Sequence, residues 1–138
     1  MRKLKNNSVF VLAVSMIICF GLLTGCGQGL SSDFDEAEVK STAQDVIAMI
    51  NEKDSEGLRN MSTAQMKTAL TDDVLNQMYE AISEAGAFEK VEDMKVAGAT
   101  QNDTEYAVVV AKAKYEKRSF TYTISFDKDM KLAGLYYK

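Results

Sequence analysis

At Gly86 the hydrophobic pattern changes its period, and that change limits the chain to one class of fold. Upstream, apolar residues recur at helical spacing. Val39, Ala43, Val46, Ile47 and Ile50 share one face, and Val74, Leu75, Met78, Ile82 and Ala85 share another. Ser32 or Asp33 is placed to cap the first helix, with Asp35, Glu36 and Glu38 complementing its positive end. Asn51-Glu52-Lys53-Asp54 breaks the pattern, and Ser55 to Met61 then offers a short turn with Leu58 and Met61 inward. Ser62-Thr63-Ala64-Gln65 fits a capping box for a helix through Leu70. Thr71, followed by Asp72 and Asp73, opens the last helix, which Gly86 ends as a left-handed cap.

Downstream of Gly86 the period is two. Phe88 to about Thr100 reads as a strand with Val91, Met94 and Val96 as its apolar members, and Gln101-Asn102-Asp103 turns into Thr104 to Tyr115. After Glu116-Lys117 comes the sharpest alternation in the chain. Phe120, Tyr122, Ile124 and Phe126 take one face, and Ser119, Thr121, Thr123 and Ser125 the other, which is wet or lines something. Asp127-Lys128-Asp129 turns into Lys131 to Tyr137, where Gly134 marks a bulge or a close approach. Helices first and adjacent strands afterwards predict an α+β domain, with N-terminal helices packed on a curved antiparallel sheet of about four strands.

The first 25 residues follow a different logic. Behind Arg2, Lys3 and Lys5 runs an apolar segment from Val9 to Leu23. It is about 15 residues long, short of the roughly 18 to 20 that span a bilayer, and it ends in small residues before a cysteine. Leu23-Thr24-Gly25-Cys26 resembles the bacterial lipobox at all four positions. The resemblance implies cleavage before Cys26, a lipid on its sulfur and palmitate-type acylation. It also implies a protein held on the outer face of the bacterial cytoplasmic membrane. The organisation expected is then a signal peptide over 1–25, the lipidated cysteine and a flexible Gly/Ser tether over 26–32, and a folded domain over 33–138. A linker of that composition has an r.m.s. reach of about 13 Å.

Removing 25 residues from 138 leaves 113, enough for one domain and too few for two. The mature part carries 13 Lys and Arg against 20 Asp and Glu. That balance speaks against nucleic acid as a partner and against a polybasic grip on anionic lipid, leaving the acyl chains as the membrane attachment. There is no His in the chain, and the second cysteine, Cys19, leaves with the signal peptide. Triads of the Ser-His-Asp and Cys-His kinds, zinc sites built from Cys and His, and an internal disulfide are therefore excluded. The acidic residues stand at helix starts, turns and exposed strand positions, so neither a calcium loop nor a buried catalytic carboxylate is expected. No metal and no cofactor are called for.

Gly86-Ala87-Phe88 after an amphipathic helix, the strand meander, Phe126-Asp127-Lys128-Asp129 and Ala133-Gly134-Leu135-Tyr136 together resemble the DUF3887 family of bacterial extracellular domains, over roughly Val39 to Tyr137. That resemblance implies the cone-shaped, NTF2-like α+β superfold and brings no catalytic residue with it. The expectation is a noncatalytic module that binds a small ligand, a peptide or a wall component between sheet and helices. Tyr106, Tyr115, Tyr122, Tyr136 and Tyr137 are candidate lining residues, and strand aromatics are also ordinary core. A homodimer or accessory subunit docking through the Ser119 to Ser125 row is the alternative. An isomerase or dehydratase of the same superfold is the third reading.

Overall fold

The computed structural model describes residues 29–138, so Leu23, Thr24, Gly25 and Cys26 lie outside the described residues. Four helices, α1 Glu36–Asn51, α2 Ser55–Asn60, α3 Ala64–Ala69 and α4 Asp72–Glu84, precede four strands. The strands are β1 Phe88–Gln101, β2 Thr104–Tyr115, β3 Ser119–Phe126 and β4 Leu132–Tyr137, paired antiparallel in the order β1-β2-β3-β4. The α+β architecture expected from the change of period is the one observed.

α1 buries Val39, Ala43, Val46, Ile47 and Ile50, the whole of the face read from its spacing. Its cap is Asp35, whose carboxylate accepts from the N–H groups of Ala37 and Glu38 at 2.8 and 3.2 Å, not Ser32 or Asp33. The start is displaced because Phe34 is 8% exposed and joins the core. Its N–H donates to the Ser31 carbonyl at 3.1 Å, so the chain completes a turn before the helix begins. A second correction concerns Ser62, which does not cap α3. Residues 61–63 pair with β4 instead. Thr63 N–H donates to Leu132 O at 2.9 Å, and Leu132 N–H donates to Met61 O at 2.8 Å. Ser62 Oγ is spent on the Leu58 carbonyl at 2.6 Å, and Thr63 supplies the capping oxygen to Met66 N–H. Thr71 caps α4 as expected, and Gly86 follows it at φ +85°, where a Cβ would strike the Glu116 side chain.

In the sheet, Phe120, Tyr122, Ile124 and Phe126 are buried against the helices. β1 is the irregular strand. Its pairing with β2 skips Glu89 and Glu92, each the extra residue of a bulge. The skips keep Phe88, Val91, Met94 and Val96 opposite Tyr115, Ala113, Ala111 and Val109, all on the inner face, although their spacing is not two. Glu89 and Glu92 pair with Lys114 and Lys112 at 3.5 and 3.7 Å. Charged bulges on an edge strand are a common defence against pairing with another chain. In β4 the extra residue is Ala133, and its neighbour Gly134 is buried opposite Ser125.

Of the three hairpin turns, those at 102–103 and 127–131 lie at one end of the sheet, here called the hairpin end, and the one at 116–118 lies at the other. Asn102 and Asp103 both have positive φ, 50° and 63°, as a two-residue hairpin turn requires. The N-terminal segment enters at the same end. Gly29 places its carbonyl so close to Gly98 that a Cβ there would collide with it, and Lys128 bridges Asp33 at 2.8 Å and Glu105 at 3.1 Å. α1 runs from that end to the other, where Asn51 meets Tyr115.

Candidate functional site

At the far end of the inner face, where α1 stops, three polar side chains meet inside an aromatic group. Tyr115 donates its hydroxyl proton to Asn51 Oδ1 at 2.5 Å, and its oxygen lies 2.7 Å from the Tyr122 hydroxyl. Because the Tyr115 proton is committed to Asn51, Tyr122 must be the donor in the second bond. The relay therefore runs Tyr122 to Tyr115 to Asn51, from the core toward the surface. Both phenols are buried and Asn51 is half-buried. Among the described residues the Asn51 Nδ2 has no partner, which leaves its N–H groups for whatever approaches.

The rings around the relay stack edge to face. Phe88 and Tyr115 are 5.5 Å apart at 67°, Tyr115 and Phe120 are 5.5 Å apart at 86°, and Phe120 and Tyr137 are 6.1 Å apart at 68°. The Arg118 guanidinium sits 4.6 Å from the centre of the Phe120 ring. Phe88 is 41% exposed, a large apolar ring at the rim, and the half-buried Val91 and Met94 continue from it along β1. Tyr115 thus touches both an exposed aromatic ring and the Asn51 amide.

Electrostatics make this a neutral hydrogen-bonding site. Burial pushes the Tyr115 hydroxyl up, opposed by the hydrogen bond that it accepts from Tyr122. Burial, with the bond to Tyr115 second, holds Tyr122 far above the ordinary phenol range, and burial raises Tyr137 as well. None of the three supplies a phenolate base. Every Asp and Glu among the described residues is exposed or half-exposed.

The five tyrosines proposed from sequence divide by face. Tyr115, Tyr122 and Tyr137 lie inside, the first two as core, while Tyr106 and Tyr136 lie on the outer face, across from Ala99 and Thr123. On that outer face the Ser119, Thr121, Thr123 and Ser125 row is not uniformly wet. Thr123 is 6% exposed, because Val110 and Tyr136 flank it on the neighbouring strands. Three acidic side chains that could be read as calcium ligands, Asp33, Asp35 and Asp127, are already engaged by the fold. Asp35 caps α1, Asp33 pairs with Lys128, and Asp127 Oδ1 accepts from the N–H groups of Asp129 and Lys131. No group of three or more His, Cys, Asp or Glu among the described residues could hold a metal ion, and no described helix is long and apolar enough to cross a membrane. Asn51 was read only as a break in the pattern. Its position four residues after Ile47, on the buried stripe of α1, is the signal that marks it as facing inward.

Comparison with known proteins agrees with the architecture. A family model described as a protein of unknown function, DUF3887, matches residues 43–135. The solved NMR structure of a protein from Ruminococcus gnavus ATCC 29149 superposes with a TM-score of 0.71 at 23% identity, covering 78% of this chain and 95% of that one. At that identity the likeness shows the fold alone. No curated protein matches the chain.

Proposed function

The chain belongs to the DUF3887 family, whose description gives no activity, and from that premise we propose that it is a membrane-anchored extracellular lipoprotein whose domain binds a ligand without catalysis. The observation that carries the binding reading is Phe88, exposed with its ring against Tyr115, whose hydroxyl bonds Asn51. An exposed ring and an amide, each in contact with Tyr115, suit a small ligand with both apolar and carbonyl-bearing parts, as a peptide or a wall fragment has. The anchor rests on Leu23-Thr24-Gly25-Cys26. In this reading no cofactor is required, nucleic acid is not a partner, and the partners are the membrane and the ligand.

The test is titration of the labelled protein with soluble wall peptides while backbone amide resonances are followed. Shifts should concentrate at Asn51, Phe88 and Met94. Shifts confined to Val110, Thr123 and Tyr136, with a doubled mass in solution, would favour the accessory homodimer, whose supporting observation is Val110, 37% exposed in the middle of the outer face. The anchor is tested separately. Cys26→Ser should abolish labelling by a palmitate analogue, and unchanged labelling would end that half of the reading.

A further inference from the structure

We infer that the domain stands on the membrane in one orientation, with the hairpin turns at 102–103 and 127–131 toward the lipid and the end that holds Phe88, Tyr115 and Asn51 turned outward. This rests on the lipoprotein reading of Cys26. The described chain is fastened to the hairpin end from its first residues. The Gly29 carbonyl packs on Gly98 in the space a side chain would fill, Phe34 is buried in the core, and Asp33 is held by Lys128, which also grips Glu105 of β2. The first described contact of the chain with the domain is therefore at Gly29. Cys26 lies three residues earlier, a span of at most about 11 Å fully extended.

That reach is short against the height of the molecule. Gly29 packs in the row where Gly98 pairs with Ala107, and from Ala107 to Tyr115 in the relay β2 runs eight residues, about 27 Å at the usual rise. A lipid fixed within about 11 Å of Gly29 cannot serve both ends, so the hairpin end faces the bilayer. Charge does not supply the orientation. That end carries Asp33, Asp103, Glu105, Asp127 and Asp129 against Lys128 and Lys131, a balance that anionic lipid repels. The partner is a lipid surface held near by covalent reach, and the rim is left open to ligands arriving from outside.

The full-length chain, expressed in a bacterium, tests this in its own membranes. A single cysteine is placed at Thr104 (T104C), beside the first hairpin turn, or at Lys117 (K117C), at the opposite end; both positions are exposed. Each is labelled with a fluorescent donor, and the membranes are doped with an acceptor lipid. Transfer from position 104 should exceed that from 117 by about twofold or more, given their separation along β2. The gap should survive 0.5 M salt, and ten Gly/Ser residues inserted between Gln28 and Gly29 should shrink it. Equal transfer from the two positions, greater transfer from 117, or a gap that salt abolishes or the insertion leaves intact would overturn the proposal. Circular dichroism of each variant confirms the fold. The unsubstituted chain separates the two ideas: donor uptake by it reveals a free thiol, at Cys26 or at a Cys19 that was never cleaved away, and sinks the lipid reading, while the 104/117 comparison, corrected for that background, still reads the orientation.

Discussion

Tyr122 is fully buried and keeps a hydroxyl, and the core tolerates it because Tyr115 receives its proton and passes its own to Asn51. Position in the relay decides what each substitution costs. Tyr122→Phe removes the terminal donor and strands nothing, so it should lower stability by about 1 kcal/mol. Tyr115→Phe leaves both the Tyr122 hydroxyl and the Asn51 oxygen without their partner and should cost about 2 to 4 kcal/mol. Denaturant midpoints of the two variants check the order, and equal losses would contradict the direction assigned to the relay. The same phenols set an alkaline limit. Their folded values lie above the unfolded one near 10, so below about pH 10 both states keep the proton and the contribution is constant. Above it the unfolded chain releases protons that the folded chain retains, and stability falls as pH rises. Phenolate absorbance followed from pH 9 to 12 should show Tyr115, Tyr122 and Tyr137 ionising together with unfolding, detected by circular dichroism. Their ionisation in a chain that is still folded would show that the relay is open to solvent.

Among the elements, β3 gives the clearest contrast between faces. Ile124→Ala opens the middle of the core and should cost about 2 to 5 kcal/mol. Thr123→Ala, on the outer face, removes a small half-polar group and should cost about 1 kcal/mol or less despite its low exposure. Calorimetry of both variants tests the assignment, and equal losses would mean that the outer face is covered in solution. α1 and β3 were legible in the sequence because each keeps one period throughout, and residues on the far face of such an element do not disturb the count. β1 was only half legible. The spacing of Phe88, Val91, Met94 and Val96 breaks alternation, and it takes the register with β2 to show that Glu89 and Glu92 absorb the difference. Phe34 escaped because no local pattern leads to it, since it is buried from a turn; Tyr79 keeps the stripe of α4, four residues after Leu75 and three before Ile82, and bonds Ser55 across 24 residues at 3.0 Å. The candidate site was the least visible part. Asn51 and Tyr115 are 64 residues apart in sequence, and only the alignment of α1 along the sheet brings them together.

At the scale of the whole molecule, stability must come from one apolar core between helices and sheet. The chain after Cys26 holds no cysteine, and the acidic groups examined for metal are engaged in caps, turns and ion pairs. A chelator should therefore leave the unfolding midpoint where it was, and a midpoint that climbs with added calcium would expose a site none of these contacts reveals. The strand order β1-β2-β3-β4 bears on how such a domain comes into being. Each strand pairs with its neighbour in sequence, so the sheet can grow hairpin by hairpin with short loops to close, the arrangement that favours rapid folding. The chain contains no proline, so no prolyl isomerisation delays it, and no disulfide has to be made. Refolding of the domain from denaturant should run without a phase of tens of seconds, and stopped-flow fluorescence of its tyrosines will show whether it does. If the chain is exported unfolded, as the proposed lipoprotein reading requires, it would need no isomerase or oxidase waiting outside to finish it.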